Sequence, residues 1–443
     1  MSIQPRSNGT VPPPAGAFSR ELAGLEHAMR LSDDETPFNV VTVLRLDGDL
    51  PTAPTLRTAL DALQRRHPLL HTRILTAGKK YFFHFDAAGP IPLEVCERPT
   101  PDSWITAAQE ELHRPFDLAT GPLARCRYLL GPSCGDLIIT FQHTIVDGAS
   151  AVHLFGELLS LCEGRAPGDA GETAQEGRIP ALALFPSEFT GLRLARAEAA
   201  FMGRQIADEV RFRWRSRGAR KPPIAATAHC RILPIRFPAA LTAALIQASR
   251  RHRITLNAIL GAGMMAAVQR RLYPSPRVPL WHITFADLRA RLRSPVPESV
   301  LGCFLTMFRY TVMVEREGDF WALARDIQES TLRAARFGER YLNHAMSPGM
   351  FKMLFGLKAF RMGATTLSYF GPVPLPTSYG AFEVTGLHAF VANFTVGPEY
   401  SALVRLFRDE LWWDIMYLDS DMDAAGAQQI AREMQAVLEE ATC

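Results

Sequence analysis

An α+β fold made of two subdomains with similar element order is what this sequence predicts. Three observations carry the prediction. The chain has 443 residues, well beyond the roughly 250 at which a single core stops growing. Strand-type and helix-type hydrophobic patterns are interleaved in both halves rather than segregated. One stretch, Glu163 to Pro180 (EGRAPGDAGETAQEGRIP), interrupts that pattern with Gly, Pro, Ala and acid, the composition of a linker. The resulting division is a disordered tail over 1–17, an N-terminal subdomain over 18–165, a linker over 166–180 and a C-terminal subdomain over 181–443.

Structure is expected to begin near Leu22, after a Pro, Gly and Ser-rich start. Val40 to Leu46 (VVTVLRL) reads as a β-branched strand. Thr55 to Arg66 places Leu56, Leu60 and Leu63 on one helical face, and His67-Pro68 ends that helix. Strands follow at Leu70 to Leu75 and Tyr81 to Phe85, a helix at Trp104 to Leu112, and strands at Leu123 to Leu130 and Leu137 to Phe141. Ala149 to Cys162 is helical by the spacing of Val152, Phe155, Leu158, Leu159 and Cys162. The second half gives helices at Pro238 to His252 and Leu256 to Tyr273, and strands at Leu280 to Phe285, Phe304 to Val314 and Ser401 to Phe407. Arg408-Asp409-Glu410 reads as a hairpin turn into Leu411 to Leu418, and a helix from Ala424 to Glu440 closes the chain.

Composition narrows the function classes. With 47% hydrophobic and 21% charged residues the chain is globular. A net charge of +3 without a basic run interleaved with aromatics argues against nucleic acid as a partner. The richest basic stretch, Arg211 to Lys221, reads as a solvated helix face running into a loop, with an anionic docking surface as the alternative. Seven scattered cysteines without a CxxC pair suggest neither a zinc site nor a disulfide framework. The start of the chain lacks a signal-peptide pattern and no apolar run approaches 18 residues, so a cytoplasmic protein without a membrane span is expected.

The chemistry concentrates at Gln142-His143-Thr144-Ile145-Val146-Asp147-Gly148. A histidine follows a strand, a carboxylate comes four residues later, and a glycine permits a sharp turn into the next helix. A neutral imidazole placed there can accept the proton of a hydroxyl or amine attacking a carbonyl, a contribution of roughly 10² to 10⁴-fold. The carboxylate can pair with a buried cation and hold the loop. A core histidine beside a turn is the competing reading of the same residues. His67, His153 and the Trp412-Trp413 pair have structural readings: a helix stop, a helix position, and one ring in a core with the other at a surface or interface. Cys303 beside Gly302 has no neighbouring motif to lower its pKa and reads as packing rather than as a nucleophile.

Six ordered segments break the tie. They are Leu60 to Ile74 (LDALQRRHPLLHTRI), Arg114 to Leu123 (RPFDLATGPL), the HTIVDG motif, Ile254 to Leu272, Phe285 to Arg289 (FADLR) and Leu367 to Val373 (LSYFGPV). Together they resemble the condensation-domain and chloramphenicol-acetyltransferase-like superfamily, which includes free-standing polyketide-associated acyltransferases. The resemblance implies two such subdomains forming a V-shaped pseudo-dimer around a central tunnel. It implies His143 as catalytic base, Asp147, Gly148 and Arg289 as its structural support, and a salt bridge between Asp147 and Arg289. Gln142 stands where the family usually carries a first histidine, and an amide there can still hydrogen-bond. Tyr369 replaces the usual asparagine of the "SNlG" segment, so Ser368, Asn393 and Thr395 enter only as candidate substrate contacts.

The expected activity is transfer of an acyl group from a coenzyme A or carrier-protein thioester to a hydroxyl or amine of a small molecule, in specialised-metabolite or lipid biosynthesis. No metal and no permanently bound cofactor is called for, acyl-CoA or a phosphopantetheinyl carrier protein being the donor substrate. A monomer is expected, with partners supplied in trans. The alternatives are the same fold repurposed for cyclisation or dehydration of a carrier-bound chain, and a non-catalytic recruitment module.

Overall fold

The computed structural model describes residues 19–85, 88–165, 179–215, 225, 227–336, 338–357 and 361–442. The expected tail over 1–17 and most of the expected linker lie outside the described residues, as do residues 216–221 of the basic stretch. In chain order the strands are β1 (Ser19–Glu21), β2 (Asn39–Gly48), β3 (Arg73–Ala77), β4 (Lys80–His84), β5 (Leu93–Glu97), β6 (Ala124–Leu130), β7 (Cys134–Gln142) and β8 (Cys230–Phe237). They continue with β9 (Arg277–Asp287), β10 (Leu305–Glu315), β11 (Thr365–Pro372), β12 (Ser378–Tyr379), β13 (Phe382–Val391), β14 (Tyr400–Phe407) and β15 (Glu410–Leu418). The helices are α1 (Leu25–Glu35), α2 (Ala53–Arg66), α3 (Ser103–His113), α4 (Gly148–Cys162) and α5 (Gly191–Arg215). α6 (Ala239–His252), α7 (Leu256–Leu272), α8 (Phe320–Arg336), α9 (Glu339–Leu357) and α10 (Ala424–Glu440) complete the set.

Two six-stranded mixed sheets organise these elements. One runs β12-β13-β2-β7-β6-β5 and the other β10-β9-β11-β14-β15-β8, with a three-stranded β1-β4-β3 sheet beside the first. β13 is the element that binds the two halves, because it arrives after β11 of the second sheet yet pairs antiparallel with β2, Leu387 opposite Leu44. Buried faces explain the assignments. β2 and β7 are buried on both faces over most of their length, as strands covered by helices on one side and by the other half of the molecule on the other must be. α7 is buried almost all round, from Ala258 to Gln269, and packs between α8, α10 and the second sheet. A third hydrophobic cluster joins the two halves through Phe38, Val41, Ile283, Met307, Phe390 and Phe394.

Buried polar contacts close the seam. Asp414 of β15 is completely buried and accepts from Arg405 Nη2 of β14 and, at 2.6 Å, from the amide of Ala389 of β13. His388 Nδ1 lies 2.8 Å from the other oxygen of that carboxylate and Arg405 Nε donates to the carbonyl of Leu387. A carboxylate removed from water is tolerated only when its acceptor sites are filled, and here both sheets supply the donors.

Local chemistry sets most boundaries. Thr52, Asp147, Thr255 and Asp423 cap α2, α4, α7 and α10 by accepting from a backbone amide three residues on. Arg408 and Asp409 adopt positive φ at the β14 to β15 hairpin, the backbone such two-residue turns need to match strand twist. Three expectations change. Residues 68–71 form a 3-10 turn before β3 instead of opening a strand at Leu70. Trp412 and Trp413 are both buried, Trp413 in the second core and Trp412 at the seam, 5.1 Å from the His388 ring centroid. Gly148 has no positive φ and owes its smallness to something other than turn geometry.

Candidate active site

β7 ends at Gln142, and the five residues before α4 form a tight, almost wholly buried connection. Its conformation is over-determined. The Gln142 side-chain oxygen accepts from the amide of Thr144 at 2.7 Å and from the Thr144 hydroxyl, while its Nε2 has no partner among the described residues. The amide of His143 donates to the carbonyl of Phe38 at 3.1 Å, tying the connection to the start of β2. Gln142 therefore holds the turn that presents His143 rather than reaching toward substrate.

His143 Nδ1 lies 3.0 Å from the carbonyl oxygen of Val146. A carbonyl can only accept, so Nδ1 carries the hydrogen, and the neutral ring has its lone pair on Nε2. Phe38 stacks on the imidazole at 5.3 Å between centroids, with 22° between the planes. Burial pushes the pKa of His143 below its ordinary value, against smaller upward contributions from the bond to Val146 and from Asp147. At neutral pH the ring is an uncharged base.

Asp147 sits one turn away and is 3% exposed. Its Oδ1 accepts from the Ser150 amide at 3.0 Å, the Ser150 hydroxyl at 2.7 Å and Arg289 Nη2 at 3.1 Å. Oδ2 accepts from Arg289 Nη1 at 2.7 Å and from the Phe304 amide at 2.8 Å. Burial alone would raise this carboxyl's pKa, yet the Arg289 charge and the hydrogen bonds hold it below the usual carboxylate value. Arg289, on the turn that follows β9, also donates to Ser150 Oγ and the Val300 carbonyl and lies over the Phe304 ring at 4.6 Å. Asp147 and Arg289 thus meet as expected, and the pair anchors residues 300–304 as well.

The site opens into a cavity of about 690 Å³ whose wall includes His143, Asp147, Gly148 and Arg289. Most of the wall is apolar. Phe38, Val40 and Phe155 come from the first half, and Phe285, Met307 and Leu403 from the second. Ser368 and Asn393 are on the wall and Thr395 is not. Asn393 spends its side chain on its own loop, donating to the Pro398 carbonyl at 2.9 Å and accepting from the Phe394 amide at 3.0 Å. Reading the sequence missed Phe38 and Phe370. A Cβ on Gly148 would stand 1.8 Å from a Phe370 ring carbon, so any side chain there would have to displace an aromatic ring from β11 that lies against the first turn of α4.

Cys303 is buried, its thiol pKa is raised well above the ordinary value by burial, and its sulfur contacts Met29 Sδ at 3.6 Å. A thiol so placed packs and does not attack. No group of three or more His, Cys, Asp or Glu is arranged to hold a metal ion among the described residues.

The condensation-domain family model matches residues 27–185, and the model for the C-terminus of phthiocerol/phthiodiolone dimycocerosyl transferase matches residues 226–403. One model matches in each half of the chain, and each covers less than half of it. Among curated relatives, the phosphinothricin tripeptide synthetase PhsC of Streptomyces viridochromogenes is 31% identical over 232 residues, 50% of this chain and 19% of that protein. The chain spans less than a fifth of the length of the first curated relatives it matches. Among solved structures, the first condensation domain of the calcium-dependent antibiotic synthetase matches with a TM-score of 0.74 at 13% identity, covering 96% of each chain. The trichothecene 15-O-acetyltransferase of Fusarium sporotrichioides gives 0.72 at 12% identity, covering 94% of this chain and 95% of that one. The fold of these solved structures therefore extends over nearly the whole chain.

Gly148→Ala is predicted to cost less than about 1 kcal/mol of stability, because the new methyl displaces an exposed Phe370 ring that can turn toward solvent. Chemical denaturation of Gly148→Ala, Phe370→Ala and the double variant checks this. Phe370 is partly exposed, so its removal alone should cost little and should restore most of the loss in the double variant.

Proposed function

We propose that the protein is an acyltransferase that moves an acyl group from a coenzyme A or carrier-protein thioester to a hydroxyl, or an amine, with His143 as general base. The observation that carries this reading is the single bond from His143 Nδ1–H to the Val146 carbonyl. It leaves an uncharged lone pair on Nε2 of a residue that lines a largely apolar cavity.

The chemistry follows from that atom. Nε2 takes the proton of the acceptor as its oxygen attacks the thioester carbonyl carbon. The tetrahedral intermediate collapses, the C–S bond breaks, and the thiolate receives the proton from Nε2. The ring returns to its starting tautomer and no covalent enzyme intermediate is needed. Asp147 and Arg289 act as positioning residues, because their charges neutralise one another and both are spent on holding residues 147–150 and 300–304. The apolar wall favours an acyl chain or acceptor with substantial hydrocarbon surface. Gln142 supports the loop through Thr144, so loss of the family's first histidine leaves the base in place. The expected partners are a thioester donor and a small-molecule acceptor, with no permanently bound cofactor.

Two measurements test the reading. His143→Ala should lower turnover about 10² to 10⁴-fold with the fold intact, followed by thiol release and by mass spectrometry of the joined product; unchanged turnover removes the base, and a dehydrated or cyclised single substrate removes acyl transfer. The pH profile adds a second check. A base works deprotonated, so a pKa lowered by burial moves the acid limb of kcat/KM to a midpoint below the ordinary 6.5. A midpoint at or above that value contradicts the assignment.

A further inference from the structure

α5 is a 25-residue helix on the outside of the second half, held against α9 and β9. Its inward face is fixed by Phe201 and Phe212, both buried, Phe212 packing on the Trp281 ring at 5.4 Å. Its outward face holds four of the nine exposed large hydrophobic residues among the described residues. Leu192 is 82% exposed, Ile206 59%, Val210 63% and Trp214 66%. They form one stripe, since Ile206, Val210 and Trp214 follow at intervals of four and Leu192 precedes Val210 by about five whole turns. The exposed residues between them, Ala195, Ala199, Gly203 and Ala207, add no polar atom to it.

Charge is sorted around this stripe. The exposed charged residues of the helix are Arg193, Arg196, Arg204, Arg211 and Arg213. Its three carboxylates, Glu198, Asp208 and Glu209, are all half-buried; Asp208 pairs with Arg211 at 3.0 Å, and Glu209 with Arg213 at 3.1 Å and with Arg309 of the body at 3.5 Å. Six arginines against three carboxylates give α5 a surplus of positive charge where the whole chain carries only +3. An exposed apolar stripe ending in tryptophan and flanked by arginine is the pattern of a helix lying in the plane of a membrane interface. The stripe runs straight for about 33 Å, and small residues keep it flat, which suits a bilayer surface better than the knobs and pockets of a protein partner. No helix among the described residues is long and apolar enough to cross a membrane, so such contact is along the surface.

We propose that α5 seats the protein on an anionic lipid surface, with Leu192, Ile206, Val210 and Trp214 in the headgroup boundary and the flanking arginines on lipid phosphates. This stands apart from the reading of His143, because α5 contributes no residue to the cavity wall. The test is co-sedimentation of the full chain with vesicles of phosphatidylcholine alone or mixed with phosphatidylglycerol. The chain should sediment with the mixed vesicles, be released by added salt, and bind pure phosphatidylcholine weakly. A triple variant, Ile206→Glu with Val210→Glu and Trp214→Glu, should lose about tenfold or more of the bound fraction while keeping the parent's circular dichroism and thermal unfolding. If the triple variant unfolds, Arg193→Gln with Arg196→Gln, on the exposed rim, should still weaken binding to the mixed vesicles. Failure to sediment with anionic vesicles overturns the proposal. So does equal binding by the folded variants, or a vesicle-independent dimer that the triple variant abolishes, which would assign the stripe to a second copy of the chain.

Discussion

Everything at the site depends on one buried ion pair. Asp147 and Arg289 are separated by 142 positions in the chain and each is 3% exposed. Taking both charges out of water costs several kcal/mol per ion before any attraction is counted, and the structure offsets that cost by filling every strong direction around the carboxylate. Five donors converge on it: two nitrogens of Arg289, the amide and hydroxyl of Ser150, and the amide of Phe304. What the pair secures is geometry. It clamps the start of α4, which follows the first sheet, to the turn after β9 and the approach to β10 of the second, so the wall bearing His143 cannot drift from the wall facing it.

Two ionisable groups four residues apart respond oppositely to the same burial, and the difference is their partners. Desolvation disfavours the charged form of both His143 and Asp147. For Asp147 the full charge of Arg289 and the hydrogen bonds from Arg289 and Ser150 outweigh it, and the carboxylate stays ionised. His143 has only the Val146 carbonyl and a carboxylate already neutralised by its arginine, so desolvation wins and the imidazole stays neutral. The partners thus hold a carboxylate ionised beside an imidazole held neutral.

Much of the fold is legible where structure is local. α4 follows from the spacing of Val152, Phe155, Leu158 and Leu159, α10 appears with the expected bounds, and the Arg408 to Glu410 turn falls where the flanking strands require it. Periodicity does not report which sheet a strand joins, and β13 leaving the second half to pair with β2 is a tertiary fact. α9 is masked by Pro348 in its interior, a residue that normally signals a helix end. At the site, His143 and its carboxylate stand out in seven residues, whereas Arg289 entered through family resemblance, because no local pattern links positions so far apart. Phe370 against Gly148 and Phe38 against His143 left no signal, since a ring close to a glycine or an imidazole is visible only in three dimensions.

The most direct measurement of the central claim is the protonation of the His143 ring itself, read from imidazole ¹⁵N chemical shifts in the folded protein near neutral pH. Nδ1 should carry the hydrogen and Nε2 should be bare and pyridine-like, with protonation to imidazolium only at a pH below the ordinary histidine value. A ring carrying its hydrogen on Nε2, or charged at neutral pH, would contradict it.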